Sequence, residues 1–184
     1  MDRQKVLSVA RELFVKEGYQ AVTVRRIANT LGYTHGALYY HFKDKAALIH
    51  ELLKHDFAYM ERKIREVLEK DEIPPLDRLR ACILTFIRFG LEHPHHYQLM
   101  FIEKEVTLTV YQLEEANTVF QLLLQGVLLS KEHLQLSPPN QLAWLIFFAT
   151  HGFISRNILD GGKWPDLEAL AETFVEMILK GLQR

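Results

Sequence analysis

Apolar residues recur along this chain every three or four positions, and almost no stretch alternates apolar with polar residues as a strand would. Val6, Val9, Ala10, Leu13 and Phe14 form one stripe that Gly18 ends, which predicts a first helix over about 2–17. Thr23 is placed to cap a short second helix whose inward face is Val24, Ile27, Ala28 and Leu31. Gly32 breaks that helix, and Thr34 can cap a third over about 35–42. A long helix runs from Lys45 to about Lys70, where the paired prolines of EIPPL at 72–76 interrupt the chain. Further helices are expected near 76–92, 95–103, 106–132, 138–160 and 167–182. Ser137-Pro138 reads as a cap followed by a proline in the first turn, and Asp160-Gly161-Gly162 as a C-terminal stop. The fold class is all-α, with about nine helices.

At 184 residues the chain is long enough to bury a real core, and 48% apolar with 24% charged residues argues against disorder. The single Cys82 cannot form an internal disulfide; it suits a reducing compartment and reads as a buried thiol. The N-terminal MDRQKVLSVARELF is amphipathic and charged, unlike a signal peptide. The greasiest stretch, LAWLIFFATHGFI at 142–154, is broken by His151 and falls short of the roughly 20 residues a bilayer needs. A soluble, cytoplasmic protein with no membrane partner is expected. Net charge is −1, but its distribution is uneven. Residues 1–50 hold eight Lys and Arg against four Asp and Glu, while the remainder holds 14 against 19. Such asymmetry suits a chain whose first part meets a polyanion.

The segment IANTLGYTHGALYYHF has the dimensions of a helix-turn-helix, two short helices about a glycine turn. On a helical wheel Leu38 and Phe42 share the inward side with Thr34 close by, and Gly36, Ala37 and Tyr40 lie opposite. Tyr39 and His41 occupy the flanks. Small Gly36 and Ala37 let the backbone approach the floor of a groove, while the flanking rings reach its phosphate walls. Free N–H groups at the helix start and Lys45 beside it add anion contacts. The alternative for these rings is that they seal the helix to its neighbours, a reading that fits Phe42 well. Arg25 can read a guanine bidentately, a stronger base contact than the neutral imidazole of His35, and Arg26 reads as a solvated or structural charge.

Thr23, Ile27-Ala28, Gly32, Thr34, Gly36, Leu38-Tyr39, His41-Phe42, Lys45 and Leu48 together resemble the signature of TetR-type transcriptional regulators over about residues 5–50. The resemblance implies a helix-turn-helix DNA-binding domain over 1–47 and an effector-binding and dimerisation domain over 48–184. Carried over position by position, it implies phosphate contacts from Thr23, Tyr39, His41 and Lys45, with which Tyr40 is grouped. It implies base contacts from Arg25, His35, Gly36 and Ala37, with which Thr34 is grouped. Tyr33 departs from the small aliphatic residue common at its position, and Thr34 replaces the commoner serine while still able to cap.

The stretch LAWLIFFATHGFISRNI at 142–158 is apolar nearly all round its wheel, so every face needs a cover. A second subunit supplies one, predicting a four-helix dimer interface through Leu142, Leu145, Ile146, Ala149 and Phe153 with Leu170, Phe174 and Ile178 of the last helix. Trp144, His151 and Gly152, with EHPHHYQLMF at 92–101, resemble a Trp/His-Gly subgroup of the same regulators. Phe86, Phe89, Tyr97, Met100, Phe101, Tyr111, Phe120, Phe148 and His151 are candidates to line a pocket for a small apolar or aromatic effector, against plain core packing. His93, His95 and His96 raise a metal site, but a proline interrupts them and no Cys or i,i+4 His pair completes a ligand set, so neither metal nor cofactor is expected.

The function that follows is a sequence-specific regulator of double-stranded DNA, a ligand-responsive repressor acting as a homodimer on a palindromic operator, and not an enzyme. The alternatives are an all-helical enzyme or metal-binding protein, for which no convergent nucleophile–base pair is visible, and an architectural DNA binder without an effector.

Overall fold

In a computed structural model of the chain the described residues are 2–18, 20–102, 106–135 and 137–183, the side chains of 106–116 excepted. They form α1 (Arg3–Glu17), α2 (Val24–Leu31), α3 (His35–His41), α4 (Lys45–Leu68), α5 (Pro75–Glu92), α6 (Pro94–Tyr97), α7 (Val106–Leu129), α8 (Pro139–Leu159) and α9 (Trp164–Leu182). A π-helical turn, Gln98–Ile102, follows α6, and the described residues contain no strand.

The first four helices each begin on a side-chain cap. Asp2 accepts from Gln4 N, Thr23 from Arg26 N, Thr34 from Ala37 N and Asp44 from Ala47 N. Each cap satisfies one of the amides a helix start leaves unpaired. Gly32 ends α2 at φ +70°, a left-handed turn that glycine adopts without the Cβ penalty. Val6, Ala10, Phe14, Ile27, Leu38 and Phe42 then close a small apolar core between α1, α2 and α3.

Behind this head, α4 packs on α5 and α7, and α5 lies at the centre of the body, touching α7, α8 and α9. The α5–α8 approach is close at Gly90, where a Cβ would stand 2.5 Å from Ile154 Cγ2. Cys82 is buried on α5, and loss of solvent pushes its thiol up to about 12, so it is an inert core residue.

Three details differ from the sequence reading. The helix expected over 95–103 is a four-residue α6 continued by the π turn, whose wider coil goes with Tyr97, Met100 and Phe101 packing inward together. α8 starts at Pro139 rather than behind a Ser137 cap, and no side chain caps it. α9 starts three residues early, at Trp164, because Pro165 is tolerated in a first turn and the Trp164 ring is buried.

α8 also corrects the length estimate: its 21 residues are long and apolar enough to cross a membrane by length and composition alone. Only 28% of its apolar window is buried inside the subunit. A helix that packs against another chain meets the same measure.

Candidate nucleic-acid interface

α3 carries its inward stripe as the wheel requires. Leu38 and Phe42 are buried, while Tyr40 on the opposite side is 87% exposed and Tyr39 is 43% exposed. Gly36, one turn before Tyr40, faces open space, since a Cβ there meets nothing within 4 Å. Ala37 and His41 are half-buried at the edges of that face. The His35 ring stands edge-on to Tyr39 at 4.7 Å, and His41 edge-on to Tyr40 at 5.3 Å, so the protruding rings are braced in pairs.

Thr23 and Thr34 are both exposed caps whose oxygens accept from backbone amides, leaving their hydroxyl protons available to an acceptor outside. Arg25 is exposed and stands in no ion pair among the described residues. Arg26 instead binds Glu17 at 2.8 Å, joining the end of α1 to α2, which holds the Glu17 carboxyl below its usual range. Lys45 sits half-buried at the start of α4 with its ammonium 6.0 Å from the Phe14 ring centre. Arg3 lies over Phe42 and pairs with Glu51 at 2.9 Å, bracing α3 and α4 from behind. The helix-turn-helix thus exposes open backbone, hydroxyls, imidazoles and a guanidinium outside any ion pair among the described residues, group types that can meet phosphates and base edges.

In the body, a small cavity of about 20 Å³ lies between α4, α5, α7 and α8, room for about one water. Ile64, Cys82, Ile83, Phe86, Ile146 and Phe147 are among its walls, and Thr150 spends its hydroxyl on Ile146 O. Of the expected pocket residues whose side chains are described, only Phe86 lines it. Tyr97 and Met100 are packed in the core, Phe101 is half-buried against Phe57 and Phe86, and Phe120 stacks on Trp144 at 4.3 Å. Phe89 lines an outer groove between α4 and α5 with Tyr59 and Arg88. Phe148 is a correction: it is 60% exposed and turned away from the cavity. The Tyr111 side chain lies outside the described residues. His151 Nδ1 and the buried Tyr97 hydroxyl, which burial keeps protonated, share a 2.7 Å hydrogen bond, and His151 Nε2 lies 3.4 Å from Ser155 Oγ. Burial holds His151 below its ordinary value.

The expected dimer residues divide. Leu142 and Ile146 are 3% and 1% exposed within their own subunit and cannot form an outer face, a second correction. A helix apolar on all sides offers the wheel no polar side from which to orient it. Leu145 and Leu170 point outward, Ala149 and Ile178 are half-buried, and Phe153 stacks on Phe174 at 4.7 Å between α8 and α9. Trp144, Leu159 and Met177, outside the expected set, extend the same exposed apolar face. His93 and His96 stack at 5.5 Å, and no group of three metal-ligating side chains occurs among the described residues.

These features have known counterparts. The chain is 41% identical over 107 residues to the HTH-type transcriptional repressor AcnR of Corynebacterium diphtheriae, covering 58% of this chain and 49% of that one. It is 31% identical over 103 residues to the repressor KstR2 of Mycobacterium tuberculosis, covering 56% and 50%. The chain thus spans about half the length of the curated relatives it matches. A solved structure of Bacillus subtilis FadR with stearoyl-CoA shares the fold at TM-score 0.82 and 18% identity, over 99% of this chain and 100% of that one. The structure of KstR2 shares it at TM-score 0.71 and 21% identity, over 99% and 95%. Residues 6–52 match the bacterial regulatory proteins of the tetR family, and residues 79–179 match the Tetracyclin repressor-like C-terminal domain. Since the second match alone spans more than half of the chain, this protein belongs to the TetR family of bacterial regulatory proteins.

Proposed function

We propose that the protein is a cytoplasmic transcriptional repressor that binds a palindromic operator as a homodimer and releases it when a small apolar molecule binds. The head, residues 1–47, enters the major groove; residues 48–184 dimerise and bind the effector. The observation that carries the reading is the outer face of α3, where an 87% exposed Tyr40 stands one turn beyond an open Gly36. Tyr39, Tyr40, His41, Thr23 and Lys45 hold phosphates in this reading; Arg25, Thr34, His35, Gly36 and Ala37 approach bases.

The exposed apolar face of α8 and α9 supports the second subunit, which would bury Leu145, Leu170 and Met177. Two such heads reach successive major grooves about 34 Å apart. The relatives' names support repression, and the stearoyl-CoA in one structure of the same fold supports an apolar effector. An effector coupled to the head by roughly 1–3 kcal/mol changes operator affinity about 5- to 150-fold.

The small volume of the cavity, about 20 Å³, favours a second reading, a DNA binder that responds to no effector. One experiment tests both. Purified protein selects duplexes from a random pool, alone and with apolar extracts of cells. Enrichment of a two-fold symmetric site that the extract abolishes supports the repressor; enrichment indifferent to the extract favours the second reading. A protein that stays monomeric and enriches nothing defeats both.

A further inference from the structure

One carboxylate joins three helices at the junction of head and body. Asp56 lies on α4, twelve residues beyond its N-cap, and is only 8% exposed. Its Oδ1 pairs with an Arg11 guanidinium nitrogen of α1 at 3.0 Å, and its Oδ2 lies 3.3 Å from His96 Nδ1 of α6. Arg11 belongs to the head and His96 to the body, and Asp56 holds both where α1 packs against α4 and α6. A largely buried carboxylate left without partners is costly, and this one therefore holds both.

The body side of the bridge is a fixed point. His96 stacks on His93 at 5.5 Å, and its neighbour Tyr97 is fully buried and bonded at 2.7 Å to His151 on α8. Residues 96 and 97 thus take different directions from one short helix. His96 reaches Asp56, and Tyr97 enters the body beside Phe86, which lines the cavity. The head side is equally defined, because Arg11 lies on α1 between Ala10 and Leu13, both in the head core.

We propose that Asp56 is a positioning residue for DNA binding: it latches Arg11 to His96 and so sets the direction in which the head, and with it α3, projects from the body. The latch rests on the homodimeric DNA-binding reading above. It touches no DNA. Its effect is to fix the separation of two recognition helices, and hence the half-site spacing the dimer accepts. Without it the head turns about the start of α4 and tolerates more spacings.

The test uses the full-length protein and the duplex it selects from a random pool. The quantity read is the ratio of affinities for that duplex and for copies with one or two base pairs added between the half-sites. Arg11→Met, Asp56→Asn and His96→Phe are each expected to lower this ratio roughly fivefold or more, with affinity for a random duplex within about twofold of the parent. Arg11→Lys, which keeps the charge, is expected to restore most of it. Losses in Arg11→Met and His96→Phe are expected not to add, since both act through Asp56. Should Asp56→Asn fail to fold, Arg11→Met alone decides, its site being partly exposed. An unchanged ratio in Arg11→Met, or equal weakening on every duplex, overturns the latch while leaving the repressor reading intact. A parent protein with no spacing preference overturns both.

Discussion

The head and the body bury similar apolar stripes but present opposite outer faces. On α3 the side away from the core carries Gly36, Tyr39, Tyr40 and His41, polar-tipped or open. On α8 the corresponding side carries the apolar Trp144, Leu145 and Phe148, with Arg156 three turns beyond Leu145. The first surface suits a hydrated, charged partner whose contacts are hydrogen bonds at phosphate and base edges. The second gains only by leaving water, so it calls for a dry partner such as a second copy of itself. The chain thus exposes two surfaces of different physics, and in the proposed reading each can be broken without the other.

The largest effect is expected on the apolar side. Leu145→Asp removes about 1.5–3 kcal/mol of burial from each copy and adds a charge to the same face. Sedimentation should show a helical monomer, and a dimer of unchanged strength would mean that α8 is covered by something else. Next, Leu38→Ala in the closed core of the head should cost about 2–5 kcal/mol and abolish DNA binding while the body still dimerises. Loss of both properties together, read by denaturant unfolding and sedimentation, would show that head and body do not separate as drawn.

Arg25→Ala should erode preference at one base position by about 1–3 kcal/mol, measured on a panel of single-base variants of the selected duplex. Uniform weakening instead would move Arg25 to the phosphates.

Acid sharpens the contrast from the body side. Burial holds the His151 imidazole below 6.5, so in mildly acidic solution the unfolded chain takes up more protons than the folded one. Its contribution to stability is intact above about pH 6.5 and is lost as pH falls through the lower folded value. His93 shifts the same way, by burial and then by its neighbour His96. His151→Gln should flatten the fall in unfolding free energy between pH 7 and 5 without removing it; an unaltered slope would place the proton uptake elsewhere.

The smallest effect is expected at the polar face. Tyr39→Phe loses only a hydroxyl and should weaken binding to any duplex by about 0.5–1.5 kcal/mol, leaving base preference alone. A changed preference would make Tyr39 a reader rather than a grip.

The head was largely legible before folding because its determinants are local. Thr23 and Thr34 cap amides three residues ahead, Gly32 turns the chain at φ +70°, and Leu38 and Phe42 are one helical turn apart. Such relations lie within a wheel, and the sequence alone determined the element, its core and its outer face. The body was legible as helices but not as surfaces. On α8, Leu142 and Leu145 are equally apolar in the sequence, yet one is 3% exposed and the other 58%. Only packing against α5 and α7 chose between them. The same holds for the cavity, whose walls come from four helices, and for Asp56, whose partners lie 45 residues before it and 40 after. Long-range pairing follows from how helices cross, and no periodicity along a chain encodes which distant charge a buried carboxylate will meet.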